Sequence, residues 1–379
     1  MIPKMMQAVV YRGAKDLRLE TVPVPSLSRG ELLVKVAACG VCPTDIKKIQ
    51  YGIVPPPRIF GHETAGTVVR VGVGKVPFKI GDRVALHHHV PCLKCHSCLH
   101  RAFAQCDQYK RTGITAGFEP AGGGYAEYVR VMPWVMPGVV KIPARNSFLE
   151  GAMLEPVNTV LKAVKRLTLL RGDTVLVAGQ GPIGLMFTRL LALQGINVVA
   201  SDLLPTRLRV ALNLGARWVV QAGQSNPTPS KPKTRSRQTD SAEGLSNLVD
   251  RITHGRGLDA AVIAVPSDQV MREAQALVRG AGQVMLFSHT RRGDNATVDL
   301  ATVCVDEKDL IGSYSADFLL QAEVARLVFS RRMDVRGLIT HLFPLSQTAA
   351  AVELASRPTI DSLKVVVSDS PSPSGMATA

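Results

Sequence analysis

The spacing of apolar residues along the chain changes after about residue 150. Between about residues 5 and 150, short apolar runs such as AVVY, LLVKVAA, TAGTVVRVG, DRVAL and GYAEYVRV are separated by Gly and Pro, and helical spacing is scarce. Runs of this length and composition are typical of β-strands joined by turns. We therefore predict a mostly antiparallel, barrel-like module in this part of the chain.

From about residue 160 to 300, apolar strand-like runs alternate with helix-like segments, as in DTVLVAG, PIGLMFTRLLALQG, NVVASD and RLRVALNLGA. This alternation is the βαβ rhythm of a doubly wound parallel sheet, so the fold class predicted for the whole chain is α/β. The stretch from 301 to 367 adds a helix around Leu319–Phe329 and a final strand at Lys364–Val367.

Length and hydropathy set the outer limits of the prediction. The chain has 379 residues, of which 46% are hydrophobic, and this is enough for two or three domains because single cores stop growing near about 250 residues. No run approaches the roughly eighteen apolar residues of a membrane span. The first nineteen residues lack the apolar core of a signal peptide. We therefore expect a cytoplasmic protein without a membrane partner.

The formal net charge of +15 could attract anions of many kinds. Part of the excess lies in residues 225–241, where four basic residues are interleaved with Pro, Ser and Thr: Lys231, Lys233, Arg235 and Arg237. The segment could be a nucleic-acid-binding arm or a solvated insertion. We favour the insertion, because no aromatic residue is present to stack on a base. The C-terminal SDSPSPSGMATA is predicted to be a disordered tail.

Four cysteines fall within fifteen residues, at Cys92, Cys95, Cys98 and Cys106. Two-residue gaps and a seven-residue return suit four thiolates around a tetrahedral Zn²⁺, and a site closed by four ligands is structural. The alternatives are a pair of disulfides or four unrelated buried thiols. Disulfides are disfavoured because the chain has seven cysteines, an odd number, and no sign of an oxidising compartment.

A glycine triplet follows the predicted strand DTVLVAG and precedes a predicted helix. In that context the glycines allow a tight turn, close approach of a pyrophosphate, and packing of helix on strand. Asp202, twenty-one residues after Gly181, can accept hydrogen bonds from both ribose hydroxyls and would repel a 2′-phosphate, which favours NAD over NADP, although Arg207 could soften that preference. The predicted dinucleotide site comprises Gly179, Gly181, Pro182, Ile183, Gly184, Asp202 and Arg207.

Three separated motifs suggest a second metal site. They are Cys42 in ACGVCPTD, His62 and Glu63 in FGHETAG, and Glu155 in MLEPVNT. One thiolate, one imidazole and carboxylates form the donor mixture of a catalytic zinc that keeps a position open for substrate. An alcohol bound to such a cation loses its proton near neutral pH and can then expel hydride.

The motifs CGVCPTD, GHETAGTVVRVG, GDRV, GGYAEYV, LEPVNT and VLVAGQGPIG, together with the four-cysteine lobe, follow one another in the order and spacing of the zinc-dependent medium-chain dehydrogenases. The chain resembles the polyol and threonine dehydrogenase branch of that family. The resemblance implies a GroES-like catalytic domain at 1–158 with a zinc lobe at about 90–110, and a Rossmann NAD-binding domain at 159–298 with a basic insertion at 223–244. It further implies a return to the first domain at 299–367, a tail at 368–379, and a homo-oligomer, either a dimer or a tetramer.

The resemblance also implies roles for individual residues. Cys42 and His62 resemble the zinc ligands of the family, while Glu63 and Glu155 resemble carboxylates that either bind the zinc directly or hold its water. Thr44, next to Asp45, stands where the family has the hydroxyl that contacts the alcohol. Lys47 replaces a histidine that ends the proton relay in many relatives. This lysine could have a depressed pKa, leave the proton to water, bind an anionic group, or simply face solvent.

These observations predict an NAD-dependent enzyme with one catalytic and one structural zinc per subunit. It would oxidise a secondary alcohol, such as a polyol, cyclitol or amino alcohol, to a ketone. The alternatives are a primary-alcohol or aldehyde dehydrogenase with the same machinery, a zinc-free quinone reductase, and a nucleic-acid-binding or regulatory protein on a dehydrogenase scaffold. We do not expect nucleic acid as a partner, because all the candidate ligands and both parts of the cofactor motif are present.

Overall fold

The structure is a computed structural model, and it describes residues 1–87, 90–108, 122–223, 244–288, 293, 295–368 and 377–378. The predicted insertion at 223–244 and the predicted tail at 368–379 lie almost entirely outside the described residues. The chain divides into two compact units, and the first is discontinuous. Unit 1 comprises Met1–Thr159 and Ser315–Ala379, and unit 2 comprises Val160–Tyr314.

Unit 1 is built mainly from two β-sheets. A three-stranded sheet has the order β2-β1-β4, and a larger sheet has the order β17-β15-β16-β3-β5-β6-β8, with β7 also paired to β3. The strands are β1 (Met5–Gly13), β2 (Asp16–Pro23), β3 (Leu32–Gly40), β4 (Arg58–Ile59), β5 (Glu63–Val71), β6 (Arg83–Leu86), β7 (Tyr128–Val131), β8 (Val140–Lys141), β15 (Ile339–Phe343), β16 (Lys364–Val367) and β17 (Ala377–Thr378).

Strand β3 organises the larger sheet of unit 1. It pairs in antiparallel fashion with β5, β7 and β16, and the register places Gly40 opposite both Glu63 and Val366. The segment AVVY of β1 is fully buried, and it packs with Tyr125 and other apolar side chains in one core cluster. The end of β3 therefore lies between β5, which comes early in the chain, and β16, which comes near the last described residues.

Unit 2 contains a six-stranded sheet of order β11-β10-β9-β12-β13-β14, in which every pair of neighbours is parallel. All residues of the two central strands are buried, as a parallel sheet covered on both faces requires. The strands are β9 (Thr174–Ala178), β10 (Asn197–Asp202), β11 (Trp218–Gln221), β12 (Leu258–Ile263), β13 (Val278–Leu286) and β14 (Asp309–Gly312).

The helices connect these strands, and α4 runs along the chain from unit 1 into unit 2. Their bounds are α1 (Pro43–Tyr51), α2 (His96–Leu99), α3 (Phe148–Ala152), α4 (Leu154–Val164), α5 (Pro182–Leu193), α6 (Pro205–Asn213), α7 (Leu245–Thr253), α8 (Asp268–Leu277), α9 (Leu300–Cys304), α10 (Gln321–Phe329) and α11 (Thr348–Ser356). None of the described helices combines the length and apolarity needed to cross a membrane.

The sequence-based prediction of fold class is confirmed. A mostly antiparallel β module precedes a doubly wound parallel sheet. The helix predicted around Leu319–Phe329 is present as a short 3₁₀ turn at Phe318–Leu320 followed by α10. The strand predicted at Lys364–Val367 is present with those bounds, but it is not the final one, because β17 follows at Ala377–Thr378.

Candidate active site and metal centres

Three potential metal donors converge in unit 1. Cys42 follows the end of β3 and is the N-cap of α1, while Glu63 is the first residue of β5 and His62 directly precedes it. One ligand atom from each of the three residues lies within 4.8 Å of the others. His62 and Glu63 are buried, with 6% and 1% of their surface exposed. This group brings together three of the four predicted ligands of the catalytic metal.

The orientation of His62 is fixed by Asp45, which lies in the first turn of α1 and is fully buried. His62 Nδ1 lies 3.2 Å from Asp45 Oδ1, so Nδ1 donates to the carboxylate, and Nε2 is the ring nitrogen that would bind a metal. Burial opposes the charged imidazole, but attraction by Asp45 and Cys42 outweighs it and raises the pKa of His62 well above its usual value. The same negative charges, those of Asp45 and Cys42, would also attract a metal cation at this place.

Glu63 has a partner that the sequence analysis did not identify. Lys364, the first residue of β16, places its Nζ 2.6 Å from Glu63 Oε1 and 2.5 Å from Oε2. Oε2 is buried and accepts no well-directed hydrogen bond from the described part of the chain. That oxygen therefore keeps lone pairs for a cation, and the donor set fits a divalent metal such as Zn²⁺.

Glu155 lies in the first turn of α4 and is 7% exposed, but it is outside the group of three donors within 4.8 Å. Thr159 donates a hydrogen bond of 3.3 Å to its Oε1. Burial raises the pKa of Glu155 to about 7, although His62 and Lys364 partly offset the effect by attraction. The geometry therefore favours Glu63 over Glu155 as the direct donor.

Thr44 and Lys47 are both in α1, three residues apart and half-buried. Residues at this spacing lie on the same side of a helix. The structure therefore places both predicted relay residues on the helix that begins directly after Cys42.

The four cysteines of the predicted structural zinc site also converge. Cys95 Sγ is 3.5 Å and Cys92 Sγ is 3.9 Å from Cys98 Sγ, and all four sulfurs, including that of Cys106, lie within 4.8 Å of one another. Tetrahedral ligands about 2.3 Å from one zinc ion would be about 3.8 Å apart. All seven cysteines of the chain, which the structure describes, are free thiols, so the disulfide alternative has no support in the structure.

The local environment favours metal binding by this cysteine lobe. Hydrogen bonds from the backbone N–H groups of Lys94 and Cys95 lower the pKa of Cys92 to about 6, which favours the thiolate that binds metals, whereas burial raises the pKa of Cys98 to about 12. Phe103 and Phe318 pack against the cysteines, with ring centroids 5.6 Å apart. The four donors are thus held by a small apolar cluster.

The predicted dinucleotide site lies in unit 2, between β9 and α5. Gly179 has φ +91°, which only glycine adopts readily, and a Cβ at Gly184 would overlap the carbonyl oxygen of Gly179. A Cβ at Gly181, the N-cap of α5, would meet no described atom within 4 Å. Pro182 occupies the first turn, followed by Ile183. Open space at this helix N-terminus fits a pyrophosphate.

Asp202 ends β10 and is 8% exposed. Its two oxygens accept hydrogen bonds from the backbone N–H groups of Gln180, at 2.6 Å, and Leu204, at 2.9 Å. The carboxylate is thereby fixed, and each oxygen retains a lone pair for a ribose hydroxyl. Arg207 Nη1 lies 4.0 Å from Oδ2. Asp202 and Arg207 are therefore adjacent.

Comparison with known proteins agrees with this geometry. Residues 28–144 match the family described as the alcohol dehydrogenase GroES-like domain, and residues 182–330 match the zinc-binding dehydrogenase family. The chain is 30% identical to the sorbitol dehydrogenase of Gallus gallus over 366 residues, which cover 92% of this chain and 93% of that protein. It is 28% identical to the sorbitol dehydrogenase of Bacillus subtilis, with 97% and 98% covered.

Among solved structures, 2R,3R-butanediol dehydrogenase from Bacillus subtilis superposes with a TM-score of 0.81 at 25% identity. The superposition covers 96% of this chain and all of that one. The similarity therefore extends over nearly the whole chain.

Proposed function

Because the chain belongs to the zinc-dependent alcohol dehydrogenases and is an oxidoreductase acting on the CH–OH group of secondary alcohols, we propose that its substrate is a polyol and its coenzyme NAD⁺. The family membership predicted from the sequence is confirmed. The similar proteins named for sorbitol and butanediol support a substrate with neighbouring hydroxyl groups. They favour this function over the primary-alcohol and nucleic-acid-binding alternatives.

The observation that carries the proposal is the convergence of Cys42, His62 and Glu63 within 4.8 Å. We assign these three residues to a catalytic zinc and the four-cysteine lobe to a structural zinc, giving two ions per subunit. When bound, the catalytic zinc supplies a Lewis acid that makes the substrate hydroxyl more acidic. Asp45 accepts a hydrogen bond from His62 Nδ1, and Nε2 is assigned to the metal. Thr44 is assigned to the hydrogen bond with the substrate hydroxyl, and Lys47 to the proton path that follows.

The preference for NAD⁺ over NADP⁺ rests on Asp202. Its carboxylate is held by two backbone N–H groups, so it cannot swing away from a ribose without losing both bonds. A fixed negative charge at this place accepts bonds from the 2′- and 3′-hydroxyls and repels a 2′-phosphate. The guanidinium of Arg207, 4.0 Å away, is already next to the carboxylate. We also propose that the enzyme is a homo-oligomer, a dimer or tetramer, which light scattering would determine.

The test is the initial rate of NAD⁺ reduction with sorbitol, xylitol, 2,3-butanediol and matched primary alcohols. We expect activity with secondary hydroxyls and a loss of at least about a hundredfold in Cys42→Ser, because one of three metal donors is replaced. Cys304→Ser is the matched control, since Cys304 is exposed, and it should retain full activity. A chain that binds NADH but oxidises primary alcohols as efficiently would contradict the polyol proposal, and a chain that does not bind NADH would contradict the dehydrogenase assignment.

A further inference from the structure

A buried lysine lies inside the candidate catalytic centre. Lys364 is 5% exposed and is the one buried lysine or arginine among the described residues of unit 1. Its Nζ donates a 2.6 Å hydrogen bond to Glu63 Oε1 and a 2.8 Å hydrogen bond to the carbonyl oxygen of Val41, the residue before Cys42. The ammonium group is therefore anchored to the backbone beside one metal donor and to the carboxylate of another.

The sheet brings Lys364 and Glu63 together across an intervening strand. Strand β3 lies between β16 and β5, and Gly40 is the residue of β3 opposite Glu63. A Cβ at Gly40 would overlap Glu63 Oε2 and would lie 3.0 Å from Lys364 Cε. The two side chains can therefore meet over β3 only because residue 40 has no side chain.

The charges around Lys364 explain why a cation is tolerated there. Burial opposes its charged form, but attraction by Glu63, Cys42 and Glu155 outweighs burial and raises the pKa of Lys364 above its usual value. A buried carboxylate without a partner is costly, so an ammonium at 2.5 Å stabilises the centre when no metal is present. The same ammonium repels a metal cation that approaches the same carboxylate.

We propose that Lys364 and the catalytic metal share the Glu63 carboxylate, so that Lys364 stabilises the metal-free centre and limits how tightly the metal is held. Lys364 is thus a positioning residue that acts through Glu63. The inference rests on the assignment of Cys42, His62 and Glu63 to a metal in the proposed function. It adds that metal affinity is set by competition between the metal and an ammonium group for one carboxylate, and not by the three donors alone.

The test measures metal affinity and stability in variants of the full chain. Protein stripped with a chelator is titrated with Co²⁺ alone at constant pH, and the dissociation constant is obtained by competition with the chelator. The difference in Co²⁺ binding between the unchanged chain and its Cys42→Ser variant gives the binding at the catalytic centre, separately from the binding at the cysteine lobe. Thermal unfolding of the stripped protein is measured in parallel.

In Lys364→Met we expect Co²⁺ to bind at least about tenfold more tightly, since one positive charge within a few Å of the ion is removed. We expect the stripped protein to melt at a lower temperature, since Glu63 loses its counter-cation. Lys364→Arg, which keeps the charge, should restore the wild-type affinity. Lys308→Met is the matched control, because Lys308 is a buried lysine of unit 2; it should lower stability without changing the affinity.

An affinity in Lys364→Met that is unchanged or weaker than wild type would overturn the inference, because a merely structural lysine would not oppose the metal. If Lys364→Met does not fold, Lys364→Gln provides the same test with a neutral side chain that can still donate to Glu63. A wild-type chain whose Co²⁺ binding is not altered by Cys42→Ser would instead overturn the metal assignment in the proposed function. The two failures are therefore distinguishable.

Discussion

Replacing Gly40 by alanine is expected to separate Glu63 from Lys364 without changing any charged group. The backbone of Gly40 is not in the left-handed region, so alanine is conformationally acceptable there. The added methyl group, however, would overlap Glu63 Oε2 and would lie 3.0 Å from both Glu63 Cδ and Lys364 Cε, where ordinary contacts begin at 3.4 Å. At least one of the two side chains must therefore move.

The size of the effect follows from what that movement breaks. The contacts of 2.5 and 2.6 Å between Lys364 Nζ and the carboxylate cannot survive once Oε2 is displaced. Disrupting a buried ion pair costs about 3 kcal/mol, which corresponds to a fall of roughly 6 to 12 °C in the melting temperature of a unit of this size. Zinc bound to the catalytic centre should be lost as well, because Glu63 no longer faces Cys42 and His62.

Thermal unfolding and zinc content per subunit measure these two effects. Gly13→Ala is the control, since Gly13 also ends a strand of unit 1 and a Cβ there would meet no described atom within 4 Å. We expect Gly40→Ala to melt several degrees lower and to retain the structural zinc alone. If Gly40→Ala matched Gly13→Ala in melting temperature and zinc content, the side chains could not meet across β3 in the way described.

Three further changes test other parts of the structure. Asp45→Asn removes the charged acceptor of His62 Nδ1 and should weaken catalytic metal binding about ten- to a hundredfold in chelator competition; unchanged affinity would contradict the orienting role. Asp202→Ser should lower kcat/KM for NAD⁺ about tenfold or more and raise kcat/KM for NADP⁺, because bonds to a charged group are lost and a phosphate is no longer repelled. If the ratio of the two kcat/KM values were the same in Asp202→Ser as in the unchanged chain, this role of Asp202 would be contradicted. His87, the residue after β6, is fully buried, and burial lowers its pKa from 6.5 to about 4. Its contribution to stability should therefore be complete above pH 6.5 and decline by about 3 kcal/mol as the pH falls from 6.5 to 4. His87→Gln should flatten this part of the profile of melting temperature against pH, and a profile identical to that of the unchanged chain would refute this effect of His87.

Local patterns in the sequence were sufficient to predict most of the fold and to identify the candidate donors that the structure brings together. The burial of every residue in β9 is visible as the apolar run TVLVA, and the spacing of the four cysteines predicts their convergence. The glycine triplet and Asp202 can be located because strand, turn and helix are consecutive in the chain.

The pairing of Lys364 with Glu63 could not be predicted in this way, because it depends on the order β16-β3-β5, and strand order across 301 residues is not encoded locally. One sign was present in the sequence: a lysine heads the apolar run KVVV, and a lysine in a buried strand requires an acidic partner. Which acid it contacts is decided by the register at Gly40. Likewise, the choice between Glu63 and Glu155 as direct donor depends on distances that no motif contains.

The discontinuity of unit 1 also has a consequence for the time course of synthesis. Glu63 and Lys364 are separated by 301 residues, and these include the whole of unit 2. At about 5–20 residues per second, a ribosome takes roughly 15 to 60 s to proceed from one to the other. During that interval the nascent chain carries Cys42, His62 and Glu63 without β16, so an ion captured at this stage would bind before the competing ammonium exists. The order in which the metal and β16 arrive could therefore differ between the newly made protein and the refolded one.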